Sequence, residues 1–112
     1  MILAIGKDEN NVSMNFGACN DFKLITIEDD KLISVHDIFN DQETHKLRPA
    51  YLKSLGVDVL VIGGLGLTAY ELLDQLNIKV LDGGYLSIDE ALNNYLNKIE
   101  LKEWVAQGQH CS

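Results

Sequence analysis

The stretch Val57-Asp58-Val59-Leu60-Val61-Ile62-Gly63-Gly64-Leu65-Gly66 restricts the fold more than any other part of this chain. Its aliphatic run is short and nearly continuous, as in a central strand covered on both faces, and it stops abruptly in glycines. This pattern predicts a buried parallel strand. Missing Cβ atoms at Gly63, Gly64 and Gly66 would let a bound group approach the backbone and let the turn use positive φ. Behind them, Ala69, Leu72, Leu73 and Leu76 share one helical face. The expected unit is strand, glycine turn and helix, and the free amides at such a helix N-terminus favour an anion.

Elsewhere, Met1 to Gly6 reads as a second buried strand that starts the fold. Lys7 to Asn20 reads as a long polar loop with a brief extended piece near Val12, and loops of this length in a small domain are usually functional or disordered. Phe22 to Glu28 and Lys31 to His36 alternate around Asp29-Asp30, which predicts a hairpin with His36 as an exposed strand residue. Pro49 suits the first turn of a helix whose apolar face is Leu47, Tyr51, Leu52 and Leu55, with Gly56 just past its end. Ile78 to Asp82 is a further short strand ending in Gly83-Gly84. Ser87 and Glu90 form a capping box for a helix reaching Ile99. Right-handed crossovers make the strands beginning at Ile2, Val57 and Ile78 parallel neighbours, with the hairpin on the other side of the first. The expectation is an α/β, ribonuclease-H-like three-layer fold. It has a mixed five-stranded sheet of order 3-2-1-4-5, with helices on both faces.

The 112 residues suit a single domain, with a core of about 1–97 and an extension at 98–112, and 46% hydrophobic content supplies that core without disulfides. No apolar run approaches the ~20 residues that span a bilayer, so a cytoplasmic protein away from the membrane is expected. A formal net charge of -8 repels a phosphate backbone, so nucleic acid is not an expected partner. Cys19 and Cys111 have no CxxC spacing and read as free thiols or metal ligands.

In the presumed topology, the Asn15 to Cys19 loop, His45 and the glycine turn converge on one crevice where strand order reverses. Gly64-Leu65-Gly66-Leu67-Thr68-Ala69 matches G-x-G-x-x-A, with Asp82 in the place of a ribose-binding acid. That fingerprint normally occupies the first strand of a six-stranded sheet. Here it lies past mid-chain with too little sequence behind it for a second mononucleotide half, so a nucleotide-binding module is the alternative expectation. A nuclease on this topology needs clustered carboxylates, and the first strand has none. Cys19, His45, His110 and Cys111 are soft or borderline metal ligands without a recognised zinc spacing. Cys19 as an incidental small residue and His45 as a solvated loop residue are the plainer alternatives.

The opening strand Ile2 to Gly6, Asn15-Phe16-Gly17, the helix entry His45 to Pro49, Leu55 to Gly66, and Ile78-Lys79-Val80 with its capped helix together resemble the dinitrogenase iron-molybdenum cofactor biosynthesis family. NifX-like proteins and the C-terminal domain of the NifB type belong to it. Asn15 stands where the family carries a loop histidine, Ala18 where it carries arginine, and Lys46, Leu47 and Arg48 where it carries glycine-rich sequence. The resemblance implies a non-enzymatic binder or carrier of an iron-sulfur or iron-molybdenum-type cluster, or a precursor, working with metallocluster assembly or acceptor proteins; a degenerate interaction domain of the same fold, which has lost cargo binding, is a further alternative. Its implied site is Asn15, Phe16, Gly17, Cys19, His45, Gly63, Gly64 and Gly66, with Cys19 and His45 as metal ligands. Lys46 or Arg48 and local amides would offset the charge of an anionic cluster.

Overall fold

Strand β1 (Ile2–Asp8) runs through the middle of the sheet, and Leu3, Ala4 and Ile5 are fully buried because side chains cover both faces. The computed structural model describes residues 1–40, 48–99 and 101–104. β1 pairs antiparallel with β3 (Asp21–Glu28) and parallel with β5 (Val57–Ile62). β3 pairs antiparallel with β4 (Lys31–Phe39), and β5 pairs parallel with β6 (Lys79–Asp82). Two short strands complete the sheet: β2 (Asn11–Val12) folds back on β1, and β7 (Lys102–Glu103) runs antiparallel to β6. The path is β4-β3-β1-β5-β6-β7 with β2 beside β1.

The described residues therefore hold seven strands where the sequence led us to expect five. The first strand does not stop at Gly6. It continues to Asp8, and a turn at Glu9-Asn10, with Glu9 at φ 56, returns two residues along its edge. Lys7, Asp8, Asn11 and Val12, within the stretch expected to be loop, are thus paired strand. Residues Lys102 and Glu103, in the extension that the sequence left unassigned, form the other added strand. Leu101 packs on one face of the sheet and Trp104 on the other, which clamps the β6 edge.

Helices α1 (Arg48–Ser54) and α2 (Leu67–Gln75) lie on one face of the sheet and α3 (Ile88–Leu96) on the other. Alternation along the strands makes two cores. Ala4, Phe22, Leu60 and Ile62 meet Leu52 of α1 and Leu73 of α2, while Leu3, Ile5, Val59 and Val61 meet Ile88 and Ala91 of α3. Gly56 at φ 83 and Asn77 at φ 61 turn the chain out of α1 and α2 in the left-handed region. At α3 the capping box is complete, with Glu90 N donating to Ser87 Oγ at 3.1 Å and Ser87 N to Glu90 Oε1 at 2.9 Å. The helix ends at Leu96 rather than Ile99, because Lys98 takes a left-handed conformation at φ 60. Since β1, β4, β5 and β6 all point the same way, the segments after Asp8, Phe39, Ile62 and Asp82 leave one edge of the sheet.

Candidate functional site

At that edge the chain from Ser13 to Asn20 lies across the strand ends, held by backbone bonds. Ser13 N donates to Gly6 O at 2.8 Å, Gly63 N to Ser13 O at 2.7 Å, and Phe16 N to Gly64 O at 2.9 Å. Phe16 anchors the single 3-10 turn Phe16–Ala18 by packing edge-on to Phe22, ring centres 6.2 Å apart, inside the α1/α2 core. Arg48, the first residue of α1, is only 1% exposed. Its Nη1 donates to Gly17 O at 3.1 Å and its Nη2 to Asn20 Oδ1 at 2.7 Å, with the guanidinium carbon 5.8 Å from the Phe16 ring centre. Of Lys46 and Arg48, the two cations expected to offset an anionic cluster, Arg48 is thus buried behind the loop.

The space left by absent Cβ atoms differs among the glycines. At Gly63 it is taken by the Met14 thioether and at Gly64 by the Met14 backbone, whereas at Gly66 nothing lies within 4 Å. Gly63 and Gly64 therefore admit another part of the same chain. In a dinucleotide fingerprint the first glycine makes the tight turn and the second admits the pyrophosphate, so Met14 fills the turn position at Gly64 while the approach position at Gly66 stays open. Gly66 is the N-cap of α2, with extended backbone and no side-chain cap.

Beside the loop opens a cleft of ≈ 440 Å³ whose walls include Asp8, Glu9, Asn15, Cys19, Asp21 and Phe39. Hollows of ≈ 400 and ≈ 510 Å³ lie around Asp30 and Tyr95, and among the described residues no expected site residue lines them. The cleft is the hollow lined by described residues of the sequence-derived site, Asn15 and Cys19. Cys19 is 3% exposed, its thiol donating to Asp21 O at 3.1 Å and lying 3.9 Å from Lys7 O. Burial pushes the Cys19 thiol above its ordinary value; hydrogen bonds involving Ser13, Lys7 and Asp21 and the charge of Arg48 pull the other way. Desolvation lowers Arg48, while the charge of Cys19 raises it. Among the described residues no three His, Cys, Asp or Glu groups stand together as a metal site.

Asn15 and Cys19 thus share the cleft, Phe16 belongs to the core, and Gly17 supplies a carbonyl to Arg48. Gly63 and Gly64 hold the loop from behind, and Gly66 stands apart at the head of α2. His45, Lys46 and Leu47 lie outside the described residues, as do His110 and Cys111. Sequence reasoning missed Met14 as the residue that fills the glycine turn, and Phe39 as a wall of the cleft.

A family model described as "Dinitrogenase iron-molybdenum cofactor" matches residues 1–98. The chain belongs to that family. Protein MJ0580 of Methanocaldococcus jannaschii is 28% identical over 101 residues, covering 86% of each chain. Among solved structures, the crystal structure of PH0822 is similar at a TM-score of 0.82 and 26% identity, covering 95% of each chain. A solution structure from Thermotoga, described as a candidate NifB protein, is similar at 0.72 and 25% identity, covering 91% of each. The family match ends at residue 98, so β7 and Trp104 lie beyond it. No helix among the described residues is long and apolar enough to cross a membrane.

Proposed function

We propose that this chain binds an iron-sulfur or iron-molybdenum-type cluster, or a precursor, and passes it to metallocluster assembly or acceptor proteins without catalysing a reaction. One observation carries this beyond family membership: Cys19, a sulfur ligand of the kind iron-sulfur centres use, lines the ≈ 440 Å³ cleft beside the loop that β1 and the glycine turn hold. Cys19 is the leading ligand and His45 the second. Asn15 offers a hydrogen bond where relatives use histidine, while Phe16 and Gly17 set the loop that carries both Asn15 and Cys19. Gly63 and Gly64 fix that loop from behind, and the open amides after Gly66 favour negative charge at the same sheet edge.

Loading requires the Cys19 thiol to lose its proton and turn away from the Asp21 carbonyl, because the thiolate is the ligating form. Arg48 supplies the nearby positive charge that lessens the cost. The fold is read as ribonuclease-H-like, as one domain with its core at about 1–97, working in the cytoplasm.

Anaerobic reconstitution with iron and sulfide, followed by visible absorbance and iron counting, tests the proposal. Cys19→Ala should lose most of the absorbance, His45→Ala part of it, and Cys111→Ala little. Iron retained in Cys19→Ala but lost in Cys111→Ala would move the site to the C-terminal segment.

A further inference from the structure

Glycine inside a strand weakens it, and it often marks a place where another group comes close to the backbone. Gly6 is such a residue. It lies within β1, paired with Phe22 of β3, and it is not among the glycines of positive φ. Its backbone therefore does not call for glycine, but its surroundings do. A Cβ at that position would run into Ile62 Cδ1 and would lie 3.1 Å from Cys19 Sγ and 3.6 Å from Ser13 Cβ. The Cys19 sulfur thus rests in room that the side chain of any other residue at position 6 would take.

Two backbone carbonyls complete this seat. The thiol donates to Asp21 O at 3.1 Å, and Lys7 O lies 3.9 Å away. Lys7, Ser13, Cys19 and Asp21 also line the ≈ 440 Å³ cleft, so the seat and the cleft share walls. The chain on either side of Cys19 is fastened by bonds that do not involve the thiol. Arg48 holds Gly17 O and Asn20 Oδ1, Asn40 N donates to Asn20 O at 2.7 Å, and Cys19 N donates to Phe16 O at 3.2 Å.

We propose that Gly6 is a positioning residue for the metal ligand: it provides a resting seat for the Cys19 sulfur, which turns out of that seat into the cleft to take cargo while the loop stays closed. This rests on the carrier proposal for the identity of the ligand and adds how the apo chain keeps it. The turn is one about the Cα–Cβ bond, between staggered positions, and needs no release of the loop. It gives up one weak S–H hydrogen bond and the contacts of a single sulfur atom. Ile62 Cδ1 borders the space left behind.

The test uses the full apo chain with Cys111→Ala, so that iodoacetamide reads Cys19. Labelling of the folded chain should not change with urea well below the unfolding midpoint, because leaving the seat exposes almost no new surface. The labelled chain should still melt cooperatively, with its adduct in the cleft. Ile62→Val removes Cδ1, the atom nearest the missing Cβ, so Gly6→Ala is read in that background. There the added methyl crowds the sulfur and should speed labelling about tenfold over Ile62→Val alone, with the low-urea rate still flat. Labelling that rises with urea in step with global unfolding, a labelled chain that is unfolded, or equal rates with and without Gly6→Ala overturns the proposal. The first two readouts need no substitution at the seat, so they decide the matter even where the crowded variant does not fold. Each is taken without metal, so failure of the seat and failure of iron loading are seen separately.

Discussion

Arg48 Nη2 donates to Asn20 Oδ1 at 2.7 Å across 28 positions of sequence, joining the start of α1 to the end of the loop that carries Cys19. The same guanidinium donates to Gly17 O and faces the Phe16 ring, so one buried side chain holds the loop at three places. Arg48→Met keeps the apolar stem but strands the Gly17 carbonyl and the Asn20 amide oxygen. Stability should fall by about 2–4 kcal/mol, read as a lower urea midpoint. Arg48→Lys should lose less, since an ammonium reaches one acceptor but not both.

The glycines separate by their surroundings. Gly64→Ala drives a methyl group into the Met14 backbone and should cost about 1–3 kcal/mol, as overpacking does. Gly66 has open space and an extended N-cap conformation. Gly66→Ser should therefore supply the missing cap and raise stability by roughly 0.2–0.5 kcal/mol. Thermal melts of the two variants side by side check both signs.

Asp37 is held below the ordinary carboxylate value, chiefly by its hydrogen bond from Lys23, with Lys7 adding to the effect. Its carboxylate is more than half exposed, so solvent screening keeps the stabilisation below about 1 kcal/mol. A depressed pKa gives stability that is present above the unfolded-state value and lost as pH falls through the folded-state value. Wild type should exceed Asp37→Asn in urea midpoint at neutral pH, with the gap closing in acid and shrinking in high salt. A gap that persists in strong acid would contradict the ion-pair origin.

For Cys19, burial outweighs its hydrogen bonds and the Arg48 charge, so the thiol stays protonated past the ordinary value of 9.0. A raised pKa gives stability that is present below the unfolded-state value and lost as pH rises through the folded-state value. In a Cys111→Ala background, iodoacetamide at neutral pH should modify the folded chain on the order of 100-fold more slowly than the urea-unfolded one. Equal rates would mean that Cys19 is already free in the native loop.

Much of the central architecture was legible because its signals are local. The aliphatic run of β5 has a length and ending that few other elements share, and Ser87 with Glu90 spells its own helix start. Two-residue strands carry no period, which is why β2 is legible only as a brief extended piece near Val12 and β7 is not legible at all. The site was legible only in outline. Cys19 and Asn15 were picked by residue type and topology. The burial of Cys19, by contrast, is set by Gly6 and Ser13, which are distant in sequence, and the loop clamp depends on Arg48. Nothing local to Arg48 marks it as a buried clamp rather than a surface charge, and nothing local to Gly64 says that Met14 will fill it.

The central claim is that the Cys19 cleft carries a metallocluster, and native mass spectrometry of the anaerobically reconstituted intact chain tests it most directly. Wild type should gain a discrete mass of iron and sulfide that Cys19→Ser, folded to the same melting temperature, does not gain. A wild-type chain that emerges at its apo mass, or a Cys19→Ser chain that carries the same added mass, would contradict the account.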